Sequence, residues 1–299
     1  MKIRVATRGS RLSIIQSEIA LDAIRSIYPQ FEFEIITIKT RGDIENDKPL
    51  YEIRDIGVFE KEVNKAVLED KADIAIHSLK DIPSSISEEL EIVFTPPRGP
   101  LSDILIHKSG NPVLPEELPE GSIVGTSSIR RIAQLRFINS NIRVENIRGN
   151  IDTRVKKLLL GLYDAIIVAE AGVERLKLGL SYYRLPLIPF TPSPGQGIIA
   201  VIARRDSRIA SMLRGKSDPI TWAMVRAERR FLEVLRLGCK AAIGGVAVRS
   251  GSGLEFIASI LSPDGSRGFW FKFKGDLSSA EKLGEVAGET VKSYLDHVM

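Results

Sequence analysis

The sequence predicts two α/β lobes followed by a small α+β domain. Short apolar runs alternate with helix-period segments through the first two thirds of the chain, and the alternation restarts after Pro96-Pro97-Arg98-Gly99-Pro100. Beyond Pro219 consecutive strand-like runs are joined by Gly-rich turns instead. With 299 residues, 43% of them apolar, the chain can bury sizeable cores and divide into two or three domains.

In the first set, Ile3 to Ala6, Phe33 to Ile38, Ile74 to Ile76 and Ile92 to Phe94 read as strands, with helices starting near Ser10 and Val58. The second set places strands near Ile104 to His107, Ile123 to Gly125, Arg143 to Ile147 and Ala165 to Ala169. Its helices start near Ser128, Asn150 and Glu170. From Pro186 to Gly195 the prolines remove amide donors and fix φ, which excludes helix interior and central strand; this stretch reads as an interlobe hinge. Gly197 to Ala203 is a further apolar strand, placed so that the chain returns to the first lobe. A long helix from Trp222 to Leu237 opens the last part. Runs near Val246 to Val248, Leu254 to Leu261 and Phe269 to Phe273 follow, with turns at Ser250 to Gly253 and Pro263 to Gly265, and a last helix starts near Ser278. The expected division is residues 1–97 with 197–216 as lobe 1, 98–196 as lobe 2, and 217–299 as the third domain.

Composition narrows the chemistry. The 42 Lys and Arg against 38 Asp and Glu leave a net charge of +4, too small for the whole-surface field of a nucleic-acid binder. A single cysteine, Cys239, excludes an internal disulfide and a multi-thiolate metal site, and the three histidines, His77, His107 and His297, lie far apart, so no metal is expected. The amino terminus has no signal-peptide core and no apolar run approaches the ~18 residues of a membrane span, so a soluble cytoplasmic protein is expected.

Arginines placed where helices begin are the most informative feature. Gly125-Thr126-Ser127-Ser128-Ile129-Arg130-Arg131 joins a strand to a helix, where hydroxyls, free amides and guanidinium groups can converge on one anion. Arg148-Gly149-Asn150-Ile151-Asp152-Thr153-Arg154 repeats the device, Arg175 offers a third instance and Arg8-Gly9-Ser10 a fourth. An isolated arginine is ordinarily a solvated or ion-paired surface group. Several at the carboxyl ends of strands favour a polyanion, carboxylate or phosphate, in the cleft between lobes.

Asp81, in His77-Ser78-Leu79-Lys80-Asp81-Ile82-Pro83, belongs on a loop at a strand end because Pro83 prevents a helix from running on directly. Locally it reads equally as a turn-forming or capping aspartate and as a catalytic group. In an arginine-rich cleft it would be held as the anion and could stabilise a cation on a substrate. Cys239 reads either as a small buried hydrophobe or, beside Gly238 and Lys240, as an accessible thiolate. Pro194-Gly195-Gln196-Gly197 reads as a hinge turn bearing an amide. Tyr182, Tyr183, Phe269, Trp270, Phe271 and Phe273 read as packing, since no basic residues interleave them in a recognition pattern.

Taken together, these motifs resemble the porphobilinogen deaminase (hydroxymethylbilane synthase) family. The resemblance covers nearly the whole chain in order: Ala6-Thr7-Arg8-Gly9-Ser10, Thr40-Arg41-Gly42-Asp43, Ala72 to Pro83, Val124 to Arg131, Ile147-Arg148-Gly149-Asn150 with Arg154, Pro194-Gly195-Gln196-Gly197 and Gly238-Cys239. It implies two type II periplasmic-binding-protein-like lobes flanking a cleft and a small α+β C-terminal domain. It also implies a dipyrromethane cofactor held by Cys239 through a thioether and used as a primer. Four porphobilinogen units then add in turn with loss of ammonia, and water releases hydroxymethylbilane. Each pyrrole bears an acetate and a propionate, which is the polyanion the arginines suit.

By the same resemblance Asp81 is the catalytic carboxylate, facing pyrrole nitrogens and the azafulvenium cation left when ammonia departs. Arg8, Ser10, Lys80, Thr126, Ser128, Arg130, Arg131, Arg148, Arg154 and Arg175 carry over as cofactor or substrate contacts. A small-molecule partner, no nucleic acid, no membrane and a monomeric state are implied. The chain departs from the family pattern where a loop lysine becomes Ile56, in Ala241-Ala242-Ile243-Gly244 after the cysteine, which lacks a frequent proline, and at Leu237, where a glycine is frequent. The rival reading, a two-lobed solute-binding protein for a polycarboxylate, would need neither Asp81 nor a tethering thiol.

Overall fold

The computed structural model describes residues 1–39, 60–236 and 242–298. Cys239, Thr40 to Asp43, Ile56, Val58, Leu237, Gly238 and Ala241 lie outside the described residues.

Strand β1 (Lys2–Arg8) buries Ile3, Val5 and Ala6 and ends at Arg8. Helix α1 (Arg11–Ile27) follows at once because Ser10 caps it, its Oγ accepting from the Ser13 amide at 3.2 Å. Strand β2 (Glu32–Ile38), helix α2 (Lys61–Leu68), strand β3 (Ile74–Ser78) and strand β4 (Leu90–Phe94) come next. Strands β1, β2 and β3 run parallel. Strand β10 (Ile199–Arg204), which follows the proline-rich stretch, inserts antiparallel between β3 and β4, and the sheet order is β2-β1-β3-β10-β4.

A second sheet repeats this plan with order β7-β6-β8-β5-β9. Its strands are β5 (Asp103–His107), β6 (Ile123–Gly125), β7 (Arg143–Glu145), β8 (Ala165–Ala169) and β9 (Tyr183–Arg184), flanked by helices α3 (Ile129–Ile138), α4 (Ile151–Leu159) and α5 (Glu170–Leu176). The parallel strands β6, β7 and β8 deliver their carboxyl ends and the starts of α3, α4 and α5 to one edge. That edge is where open α/β sheets bind ligands.

After helix α6 (Arg208–Leu213), helices α7 (Pro219–Leu235) and α8 (Ala280–Ser293) pack on an antiparallel meander of β11 (Ala242–Ser250), β12 (Gly253–Leu261) and β13 (Gly268–Gly275). This domain has no separate core. Ala200 and Ile202 of β10 belong to the same buried apolar cluster as Phe231 of α7 and Phe256 of β12, whose rings lie 5.0 Å apart. The shared cluster, with β10 residues packed among third-domain side chains, ties the third domain to the first sheet.

Several boundaries differ from the sequence expectation. Helix α7 starts at Pro219, not Trp222, because Pro219 occupies the first helical turn and the Asp218 carboxylate accepts from the Thr221 amide at 2.7 Å. It ends at Leu235, where Arg236 turns left-handed with φ 48°. Strand β7 stops at Glu145 because the Ile147 amide donates to Ser127 Oγ, 3.2 Å away, instead of to a neighbouring strand. Neither β9 nor α6 was anticipated, being two and six residues long and too short to show a period.

Candidate active site

Residues Leu79–Asp81 form a single 3-10 turn directly after β3, ended by Ile82-Pro83. Gly195 presses on this turn from the hinge. With φ +79°, a Cβ there would lie 2.6 Å from the Lys80 amide nitrogen and 2.8 Å from the Leu79 carbonyl carbon, so only glycine fits. The Leu79 amide donates to the Ile198 carbonyl at 3.0 Å. Held this way, Asp81 is exposed while Leu79 is buried. No side-chain cap closes the turn, and among the described residues the Asp81 carboxylate has no hydrogen-bond partner, so the capping reading of Asp81 has no geometry behind it.

Lys80 reaches into the junction between the sheets, where its Nζ approaches Gln196 Oε1 at 3.4 Å. Burial pushes its pKa down to about 8, with Asp81 and Asp103 raising it and Arg131 and Arg130 lowering it. Lys80 is thus still largely cationic at neutral pH. One electrostatic neighbourhood joins the Asp81 turn to the start of α3.

Ser128 caps α3, its Oγ accepting from the Arg131 amide at 3.4 Å, and the buried Thr126 hydroxyl accepts from the Ser128 amide at 3.3 Å. Arg130 and Arg131 are both buried and both bound to Asp103 of β5. Arg130 Nη1 donates to Asp103 Oδ2 at 2.8 Å, to Gln134 Oε1 at 2.9 Å and to the Thr191 carbonyl at 2.8 Å. Arg131 Nη2 and Nε donate to Asp103 Oδ1 at 2.7 and 3.1 Å, and Gln196 Nε2 donates to the same oxygen at 2.9 Å. The two guanidinium groups hold the Asp103 carboxyl well below the usual carboxylate range although burial opposes this. Breaking such a pair from one side costs roughly 3–5 kcal/mol, so replacing Arg130 would disturb folding before it reported on a ligand.

Arg148 and Arg154 are differently placed. Arg154 Nε is satisfied by the Gly149 carbonyl at 2.8 Å, and its pKa is pushed down to about 10 by burial and by the neighbouring charges of Arg131 and Arg148. Arg148 Nε and Nη2 are buried without a hydrogen-bond partner among the described residues. Three guanidinium charges are therefore neighbours, and Arg148 has two buried donors to spare, an arrangement that costs free energy until an anion enters. A polycarboxylate fits it.

The remaining expected residues lie around this centre. Arg8 ends β1 near the buried His77, whose pKa burial and the Arg8 charge push down to about 4. Ser10 is committed to its cap. Arg175 Nη2 donates to the Gly197 carbonyl at 2.7 Å and lies against Gly99, so the structure places it between the Pro96-to-Pro100 stretch and the residues that follow the hinge.

Residues that were not singled out complete the junction. Buried Arg98 donates from Nη1 to Glu228 Oε1 at 2.6 Å and from Nη2 to the Gln196 carbonyl at 2.7 Å. Glu228 accepts from the Gly195 amide at 2.5 Å and the Ala247 amide at 2.8 Å. Two signals existed. Asp103 is a carboxylate opening an otherwise apolar strand, and Glu228 lies on the buried stripe of α7 with Met224, Ala227, Phe231 and Leu235.

Residues 3–211 match the porphobilinogen deaminase dipyrromethane cofactor binding domain, and residues 222–293 match the porphobilinogen deaminase C-terminal domain. The chain belongs to the porphobilinogen deaminase family. A relative from Hyperthermus butylicus named "Probable porphobilinogen deaminase" is 48% identical over 285 residues, 95% of this chain and 94% of its own length. One of the same name from Ignicoccus hospitalis is 44% identical over 98% of this chain and 96% of its own. Among solved structures, the periplasmic VFT2 domain of Bordetella pertussis BvgS aligns with a TM-score of 0.42 at 16% identity, over 72% of this chain and 86% of its own.

Family membership makes dipyrromethane the cofactor, a chain of pyrrole acids that suits the surplus donors of Arg148. Arg148→Leu removes the two unpartnered donors without breaking an ion pair among the described residues. We expect near-normal thermal stability but a loss of roughly tenfold or more in the rate of chain elongation. Unchanged cofactor content and unchanged elongation, measured by intact mass and product formation, would remove Arg148 from the site.

Proposed function

We propose that this chain joins four porphobilinogen molecules head to tail, releasing ammonia from each, on a dipyrromethane primer, and that water then frees hydroxymethylbilane. The observation that carries this reading is Arg148, with two buried donors that have no partner among the described residues, beside Arg131 and Arg154. Arg148, with Arg154 beside it, would hold the acetate and propionate groups of primer and substrate; Arg130 and Arg131, whose donors are taken up by Asp103 and by backbone carbonyls, would add positive charge behind them, and Thr126, Ser128, Arg8, Ser10 and Arg175 come as surrounding contacts from the family resemblance. When bound, the dipyrromethane supplies the pyrrole carbon to which the first unit is joined and the anchor on which the chain grows.

In this reading Asp81 serves the leaving step. As the carbon–nitrogen bond of porphobilinogen breaks with the aminomethyl group in its ammonium form, the bonding electron pair leaves with ammonia and the methylene-pyrrole is left cationic. The arginines that bind the acids repel that cation, and Asp81, exposed at the tip of its turn, supplies the opposing charge. A carboxylate about 4 Å from a cation gains on the order of 4 kcal/mol at an effective dielectric near 20, enough to change a rate substantially. Lys80, still cationic at neutral pH, adds to the field that holds the acids. Cys239 carries the primer through a thioether.

The proposed domain division is 1–97 with 197–216, 98–196 and 217–299, with Asp81 in the first and the arginine clusters in the second. A monomeric, cytoplasmic enzyme comes with the family resemblance; no helix among the described residues is long and apolar enough to cross a membrane. Solute binding alone leaves Asp81 and the third domain without a task. The test is stoichiometry: purified protein incubated with porphobilinogen should release four ammonia per hydroxymethylbilane. Saturable binding of porphobilinogen with no ammonia release would favour the solute-binding alternative.

A further inference from the structure

Arg229 lies on α7, in the third domain, yet its guanidinium is spent on the segment that joins β3 to β4. Nη1 donates to the Pro83 carbonyl at 2.5 Å and the Ile82 carbonyl at 3.4 Å, and Nη2 donates to the Ser84 carbonyl at 2.6 Å. These three carbonyls belong to the residues directly after Asp81. The charges of Glu233 and Glu60 raise its pKa against the larger lowering by burial, but among the described residues no ion pair holds it. A charged fork buried on three successive carbonyls is a strong fastening, since each such bond is charge-assisted and the planar guanidinium fixes their relative directions.

We infer that Arg229 is a positioning residue for Asp81, clamping the chain beyond the 3-10 turn while Gly195 and Ile198 hold it from the hinge side. The inference rests on the catalytic reading of Asp81 given above. Asp81 itself makes no hydrogen bond among the described residues, so the place of its carboxylate is set by the backbone on either side of it. Leu79 is fixed to the Ile198 carbonyl on one side. On the other side the Ile82 amide is given to the Leu79 carbonyl at 3.1 Å and Pro83 has no amide, while Arg229 takes the carbonyls of Ile82, Pro83 and Ser84. The clamp also runs between domains. Helix α7 ends at Leu235, shortly before Cys239 in the chain, so the element leading to the primer attachment also sets the catalytic carboxylate.

The test uses protein whose mass shows the primer attached. Arg229→Lys keeps the charge but cannot fork across three carbonyls. It is expected to slow single-turnover ammonia release about tenfold, with KM for porphobilinogen changed less than about twofold. In an Asp81→Asn background the same substitution should slow release by less than about twofold, because its effect passes through Asp81. Arg229→Gln, which keeps an amide donor without charge, is the second variant should Arg229→Lys not fold, and the same pattern is expected of it. Equal slowing in both backgrounds, or full-rate release by the Arg229 variants, overturns this inference alone. Wild-type release by Asp81→Asn by itself overturns the assignment of Asp81 and this inference together.

Discussion

Asp81→Asn should leave porphobilinogen bound and the protein folded while ammonia release falls by about a hundredfold or more, with kcat rather than KM carrying the change. The substitution preserves size and removes only the charge. Because the Asp81 side chain has no hydrogen-bond partner among the described residues, little stability should go with it, and a small change in Tm would confirm that the turn survives. Asp81→Glu keeps the charge and displaces it, so part of the activity should remain. The measurement is single-turnover ammonia release on protein already carrying the primer, since a variant that never assembled one would be inactive for a different reason. Near-normal turnover of loaded Asp81→Asn would refute the electrostatic role.

The second large effect concerns the tether. Intact-mass spectrometry of the purified protein should show a two-pyrrole adduct, absent from Cys239→Ser, and that variant should form no hydroxymethylbilane. The reason is covalent: a serine hydroxyl, far less acidic than a thiol, does not supply the nucleophile that forms the thioether. Cys239 is the only cysteine in the chain, so no second thiol can substitute for it. Fully active enzyme with the unmodified sequence mass would exclude the tether.

Asp103 and Arg229 show how the two kinds of contact differ. Asp103 lies 27 and 28 residues from Arg130 and Arg131, and Arg229 lies 146 from Pro83. No local pattern relates residues so distant. Arg130 and Arg131 appear in the sequence as a matched pair of ligand contacts. The structure gives Nη1 of one and Nε and Nη2 of the other to a buried carboxylate, and leaves surplus donors on Arg148 instead.

By itself the sequence determined what local physics controls: alternating apolar runs that become sheets, helix starts at Ser10 and Ser128, Pro83 as a stop after Asp81, and arginines at the strand ends where a polyanion would bind. Only the tertiary structure decided which of those charges pair with one another, that Gly195 must lack a Cβ to press on the Asp81 turn, and that the third domain shares its core with the first sheet. The physical reason is range. Periodicity and capping act within a few residues, whereas the partner of a buried charge is chosen when distant segments pack and every desolvated donor and acceptor must be satisfied at once.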